Sequence, residues 1–512
     1  MADYPLNLSI NLEVLRVKKY IVPLLLNLLL VTNASAENPP LKLSLKESVK
    51  LALERNLDLK TELYNPAQAE ADIRKNRSIY ETHLTLDSSY FDANRYSLGL
   101  NRDYDQSTLT ITPGVYQLLP TGGTVGLNYQ NTKETNSTTG TTALGSYWTS
   151  SLGLTLNQPL LKNFGRDTTE LNIKVAEVAK GTSLSQLKNR ILTIVAQVRS
   201  EYFKLVGFRE DLESRKISLE LSQKVLSETD ARVKAGVLPA MDILNAQFGV
   251  ASREKELIDT EKAVSDQVDI LSQLLQLEKA ADIEPTDKPD RIVIVINTED
   301  SLNKAILSRP EFDELKGQLQ SYELQAKVAK SQTLPSLNLK SSVALTGIDE
   351  AYNRNNERLG SFDYPAWSVG LQFDYPLGNQ AAESDYVKSR LRVEQTKVQL
   401  ENLQSTIENE VKIAIRGVNS SYKQLDVADR GRLFADERVK AYLKKSEVGL
   451  ATTKDLLDVE NDLVAARTNQ INAEARYAIS LTQFWKATGE LLEREGITID
   501  SAKSDALYKD IK

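Results

Sequence analysis

Two hydrophobic periods share this chain. From residue 83 to 159, and again from 336 to 377, apolar and polar residues take turns. Thr124–Gln130 sets Val125, Leu127 and Tyr129 on one face, with Thr, Gly, Asn and Gln opposite. Ser151–Asn157 does the same with Leu152, Leu154 and Leu156, and Trp367–Tyr375 with Trp367, Val369, Leu371, Phe373 and Tyr375. Leu337, Leu339, Val343 and Leu345 form a fourth such face. A period of two predicts strands. The other period is helical. Leu184, Leu187, Ile191, Ile194, Val198, Tyr202, Leu205, Phe208 and Leu212 recur every 3.5 residues on average, the coiled-coil spacing. Ile407, Val411, Ala414, Val418, Tyr422 and Leu425 make a looser seam of the same kind. Asp167 to Lys234 and Glu383 to Glu447 contain no Pro, so each predicts one helix of ~100 Å at 1.5 Å per residue.

The plan is written twice. ESVKLALERNLDL at 47–59 matches DSLNKAILSRPEF at 300–312, and HLTLDSS at 83–89 matches SLNLKSS at 336–342. GLTLNQPL at 153–160 matches GLQFDYPL at 370–377, and AGVLPAMDILNAQ at 235–247 matches VGLATTKDLLDVE at 448–460. Four matches in one order predict a tandem repeat. The first half runs over 37–280, with strands about 83–159 and a helical hairpin at 167–277. The second runs over 300–490, with strands about 336–377 and a hairpin at 383–489. A linker at 281–299 joins them, and its IVIVI core predicts a short strand. Residues 491–512 form a tail.

Residues 18–36, KKYIVPLLLNLLLVTNASA, carry two lysines, an apolar run of 12 residues from Tyr20 to Val31, and small residues at Ala34-Ser35-Ala36. That is the form of an export signal. Residues 1–16 fit it poorly, so 1–36 reads as an upstream extension plus signal, with translation expected to start at codon 17.

Composition narrows the chemistry. Cys is 0, His is 1 and Met is 2, which excludes thiolate metal sites, Cys nucleophiles and disulfides. No phosphate-binding glycine loop or nucleophile elbow is present. No enzyme, cofactor or metal is expected. The net charge of −7 shows no basic excess for nucleic acid. A mean hydropathy of −0.35 is too polar for a bundle of membrane helices but leaves a membrane β-barrel open. A half-buried soluble sheet competes with that barrel. The small uncharged polar faces, the hydrophilic connections at 131–147 and 346–365, and the export signal favour the barrel.

In the tandem halves, the helix–strand–helix order, the Gln158-Pro159-Leu160 and Tyr375-Pro376-Leu377 strand ends, and the paired turns at 235–245 and 448–458, the chain resembles the TolC-like outer-membrane efflux family over most of 41–490. The resemblance implies a mixed α and β membrane protein. It would be a homotrimer whose outer-membrane β-barrel, of 12 strands at four per protomer, continues into a periplasmic α-helical coiled-coil barrel. The stretch 107–147 is either an irregular loop or an added hairpin; four strands is the expectation. The implied function is a passive, porin-like channel through outer-membrane lipid. It would serve a tripartite efflux or type I secretion system with a periplasmic adaptor and an inner-membrane pump. The competing class is a secreted, envelope-associated coiled-coil scaffold without a channel. Cargo and pump class stay open.

The resemblance also assigns sites. The adaptor-contacting tips fall on Ala235, Gly236 and Val237 and on Val448, Gly449 and Leu450. The acidic periplasmic gate falls on Asp455 and Asp458, with Asp242 as pseudo-equivalent. The basic and aromatic lock positions of some members fall on Ala451 and Ser446, which cannot make a salt bridge. Without the resemblance, these acids read as ordinary helix-start residues.

Overall fold

The computed structural model describes residues 40–97, 102–137, 145–277, 282–498 and 502–511. The export signal and the upstream extension lie outside them. The chain opens with strand β1 (Leu41–Leu43) and helices α1 (Leu45–Arg55) and α2 (Leu57–Arg77). Four strands follow: β2 (His83–Ser97), β3 (Arg102–Leu118), β4 (Thr124–Ser137) and β5 (Ser146–Pro159). A short α3 (Arg166–Thr169) leads into the long α4 (Leu171–Lys234), which turns back as α5 (Met241–Leu275). After β6 (Ile283–Pro285) come α6 (Thr298–Ser308), α7 (Pro310–Gln332), β7 (Ser336–Asp349), α8 (Tyr352–Gly360) and β8 (Pro365–Asp374). The second hairpin is α9 (Gln380–Glu447) and α10 (Thr453–Thr488), followed by α11 (Leu491–Arg494) and α12 (Ala502–Ile511).

At 64 and 68 residues, α4 and α9 match the Pro-free runs of the sequence. The α4 seam is buried where it was expected: Val198, Tyr202 and Leu205 are fully enclosed. In α9, Ile407, Val411, Val418 and Leu425 are buried, but Tyr422 stands 38% exposed and Ser421 takes the buried place beside it. The helices lie four across at two levels. Nearer the sheet the order of contacts is α2, α4, α7, α9; towards the tips it is α5, α4, α10, α9.

The linker differs from expectation. Its strand is Ile283–Pro285, which pairs in parallel with Leu41–Leu43, not the IVIVI segment. Ile283 is fully buried, and the Tyr202 hydroxyl fixes the pair by donating to the Leu43 carbonyl (3.0 Å) and accepting from Asp287 N–H (3.0 Å). Residues 291–297 run extended over the second hairpin, with Ile294 and Ile296 packed on its core and Val295 facing out. No described strand lies beside them to complete a ladder.

The second difference is the strand count. The sheet has six strands, in the order β2-β3-β4-β5-β7-β8, every neighbour antiparallel. The expectation of four per protomer is corrected here: the stretch at 107–147 adds a hairpin, β3–β4, to the same sheet. The physical reason is the tight turn at 119–123, where Leu119 N–H donates to Gly123 O (2.7 Å) and Gly122 N–H to Leu119 O (2.9 Å). Gly122 holds φ +85°, a conformation that L side chains rarely adopt.

Candidate functional site

Apolar and polar residues sort cleanly to the two faces of the sheet. One row of cross-strand partners reads Leu84, Val115, Leu127, Leu154, Val343, Trp367, apolar on all six strands. Every one of them is exposed, from 38% at Val115 to 81% at Leu84. The next row, on the opposite face, reads Thr85, Gly114, Asn128, Gly153, Ala344, Ala366, all small or polar. A water-exposed sheet would reverse this arrangement, because exposed contiguous apolar surface marks an interface with lipid or protein. No helix among the described residues is long and apolar enough to cross a membrane.

At the end of the sheet away from the helices, α8 lies on the apolar face. Gly347 makes room for it: a Cβ there would stand 2.2 Å from Asn355 O. Asn355 donates to Ser150 Oγ (2.5 Å), Ser150 donates to Asn131 Oδ1 (2.6 Å), and Tyr129 donates to Asn356 Oδ1 (2.7 Å). This network pairs Tyr129, Asn131 and Ser150, the polar residues that this face carries above its apolar band, and leaves Asn355 Oδ1 without a partner.

The far ends of the hairpins are two similar turns. Gly236 and Gly449 both have φ +77°. In each, the residue after the glycine donates back into the last helical turn, Val237 to Arg232 O (2.9 Å) and Leu450 to Lys445 O (2.8 Å). That is a left-handed helix end. Val237, Val448 and Leu450 are each at least 68% exposed, and Ala235 is exposed beside them. A Cβ at either glycine would meet nothing, so backbone conformation, not space, requires glycine there.

Asp242 lies in the first turn of α5, while Asp455 and Asp458 lie in the first two turns of α10. Asp455 closes a capping box with Thr452, accepting from its backbone N–H (2.9 Å) and hydroxyl (2.7 Å). Those hydrogen bonds, the hydroxyl's first, hold its carboxyl below the usual range. Within one chain Asp455 is therefore a helix-start residue as well as a gate candidate. Asp458 is exposed one turn further on. No hydrogen bond links Asp242 to either.

A polar layer inside the hairpins escaped the sequence reading. Arg253 of α5 is 5% exposed, pairs with Glu256 (3.0 Å) and reaches Asn461 of α10. Glu256 also takes Arg215 of α4 (2.6 Å). Beneath them Glu460, 3% exposed, has one carboxylate oxygen without a partner. Burial pushes its carboxyl up to about 7, with Arg253 acting against the rise. The available signal was the repeat itself, which sets Glu460 against Gln247: an acid stands where the other half carries an amide. Among the described residues no cluster of His, Cys, Asp or Glu could hold a metal ion.

An exposed apolar sheet face continuous with two long helical hairpins defines an envelope protein of mixed α and β class. The sequence pattern of the outer membrane efflux proteins matches residues 118–276 and 301–490, and the chain belongs to that family. It is a TolC-like protein of the outer membrane, extending into the periplasm. It is 21% identical over 308 residues to the pyoverdine export outer membrane protein OpmQ of Pseudomonas aeruginosa, covering 58% of this chain and 61% of that one. It is 20% identical to the outer membrane efflux protein BepC of Brucella suis over 71% of this chain and 77% of BepC. Among solved structures, the outer-membrane channel OprN superimposes with TM-score 0.65 at 16% identity, over 87% of this chain and 89% of OprN. The Campylobacter jejuni CmeC channel does so with TM-score 0.62 at 16% identity, over 91% and 89%.

Proposed function

We propose that three copies of this chain form one passive conduit that carries cargo from an inner-membrane pump, through a periplasmic adaptor, across the outer membrane. The observation that carries this reading is the exposed apolar row running unbroken over all six strands, on a sheet with two open edges. Open strand edges cannot sit in lipid, where each unpaired backbone group costs several kcal/mol, so the sheet must close against other copies. The helical layer is open in the same way. Phe248 and Ile258 on α5 and Phe434 and Val427 on α9, its two outer helices near the tips, are each more than 60% exposed. The pump supplies the energy; the channel needs no cofactor. The relatives' names, pyoverdine export and efflux, support small molecules as cargo.

The tips at Ala235, Gly236, Val237, Val448, Gly449 and Leu450 meet the adaptor through open backbone and apolar side chains. Asp455 and Asp458, with Asp242, charge the entrance. Detergent extraction of outer membranes and native mass spectrometry test the assembly; recovery in the soluble periplasmic fraction would overturn it. Planar-bilayer recordings test the gate. Asp455→Asn with Asp458→Asn should lower cation selectivity and relieve block by multivalent cations, and unchanged selectivity would reduce both acids to helix-start residues.

A further inference from the structure

We infer that the outer-membrane pore of this protein is an eighteen-stranded barrel, made by pairing the β8 edge of each copy with the β2 edge of the next. The inference rests on the trimer proposed above and adds the strand count, hence the width of the exit.

Three observations carry it. First, the added hairpin is a full member of the wall. β3 pairs with β2 along 15 residues, and β4 with β5 along 12, without a break at the apolar row. The sequence blocks match β2 to β7 and β5 to β8, so β3–β4 is the hairpin with no counterpart in the second half. Its turn is seated, not loose. Thr121 O accepts from Gly165 N–H (3.0 Å) and from Gln158 Nε2 (3.1 Å), and a Cβ on Gly122 would stand 2.4 Å from Asn163 O. The turn therefore packs on the corner where β5 leaves the sheet.

Second, the edges are complementary. An even number of alternating strands leaves β2 and β8 antiparallel to each other, so copies join by the same ladder that joins neighbours within a copy. Both edges carry the apolar row, at Leu84 and at Trp367. A hairpin is the unit by which such a wall grows, because two crossings return the chain to the same side.

Third, the widths agree. Strands ~4.8 Å apart and tilted ~40° give eighteen strands a circumference of about 110 Å and a radius near 18 Å. Twelve strands give about 75 Å and near 12 Å by the same spacing and tilt. The helices lie four across at each level, so three copies supply twelve. At ~8–10 Å between axes they span about 95–120 Å. Eighteen strands, at about 110 Å, fall within that span, whereas twelve, at about 75 Å, fall below it.

The chain has no cysteine, so one introduced thiol is unique. Val343→Cys on β7 and Val115→Cys on the added hairpin, both facing outward, are spin-labelled separately in the full-length protein in detergent. Inter-copy distances are then read by pulsed dipolar spectroscopy. Three equivalent sites on a circle stand √3 radii apart, about 30 Å between backbones for eighteen strands and about 20 Å for twelve by the spacing and tilt above, with the label adding alike to both. The expected result is the longer distance at both sites. The shorter distance at Val343, or a distance at Val115 that departs from that at Val343, would overturn the inference while leaving the trimer standing. A native mass other than three chains would overturn the trimer and the inference with it. Deleting 98–145 to join β2 to β5 should shorten the Val343 distance by about a third. If that variant fails to assemble, the two full-length distances still decide.

Discussion

Leu154 lies at the centre of the apolar row, between Leu127 on β4 and Val343 on β7, and is 50% exposed. In the proposed barrel, the guanidinium of Leu154→Arg enters the bilayer at about the middle of the band. An arginine there costs roughly 2–4 kcal/mol on a lipid-facing strand. At about 1.4 kcal/mol per tenfold, that is a 30- to nearly 1000-fold loss of assembled protein for one copy, and three copies carry it together. Thr155 is the control. It is the next residue, exposed on the opposite face, and gives up one long hydrogen bond to Gly126 O (3.3 Å). In the proposed barrel, Thr155→Arg places the same charge in the aqueous lumen. Outer-membrane fractionation and the yield of SDS-resistant oligomer read both variants from one promoter. Leu154→Arg should nearly abolish the oligomer and Thr155→Arg should keep most of it. Equal yields, or the reverse order, would refute the assignment of faces and with it the membrane placement of the sheet.

Gly449→Val forces a β-branched side chain to φ +77°, at a cost of roughly 1–2 kcal/mol. It should abolish export at normal oligomer levels, whereas Gly449→Asn, tolerant of that conformation, should keep it; a cell-based efflux assay separates them. Gly347→Ala sets a Cβ against the backbone of α8 and should speed tryptic cleavage at Arg354 and Arg358, while Gly370→Ala, whose Cβ meets nothing, should not. Glu460 predicts a pH dependence. Its folded value is raised to about 7, so its contribution is fully favourable below the unfolded value near 4.5 and is lost as pH rises through 7. Glu460→Gln should add up to about 3 kcal/mol of stability at neutral pH, little at pH 4.5, and flatten the melting temperature between them; an unchanged slope would mean the carboxyl is hydrated.

Much of the architecture was legible because its signals are long. A seam sustained over 28 residues and Pro-free runs of more than 60 leave little choice but α4 and α9. The strand faces were legible too, from alternation alone. The strand count was not. β3 opens with Arg, Asp, Tyr, Asp and Gln, and carries a Pro at 113 that can donate no ladder hydrogen bond, so the segment reads as loop as easily as strand. Its place in the sheet is fixed by partners on either side, which periodicity cannot report. The linker failed for a related reason: IVIVI has the higher strand propensity, but Ile283 has the buried site and the partner strand. At the tips the glycines were legible because only positive φ demands them. Arg253 and Glu460 were not, since both lie in charged, helix-favouring stretches whose ordinary place is solvent.

If the tips form the entrance, as proposed above, that hidden layer constrains how it opens. At the tip level α10 is held from both sides. Val459, Leu456 and Leu463 pack with Val225 of α4 and Val439 of α9, and Asn461 accepts from Arg253 of α5. If the α9–α10 hairpin moves as a unit, its own hydrophobic contacts with Val439 survive. The contacts that break are those to α4 and α5. Arg253 would lose Asn461 but keep Glu256, its partner on the same helix, so its charge would not be stranded. Glu460 would gain water and become free to ionise. The two halves of the layer thus respond differently: the arginine makes separation tolerable, and the buried acid makes it depend on protonation. Burial raises the Glu460 carboxyl to about 7, so in the packed arrangement a rise in pH through that value sets an uncompensated charge in the layer. A Gln at that position, as the first half carries at 247, would remove the dependence without disturbing the packing around it.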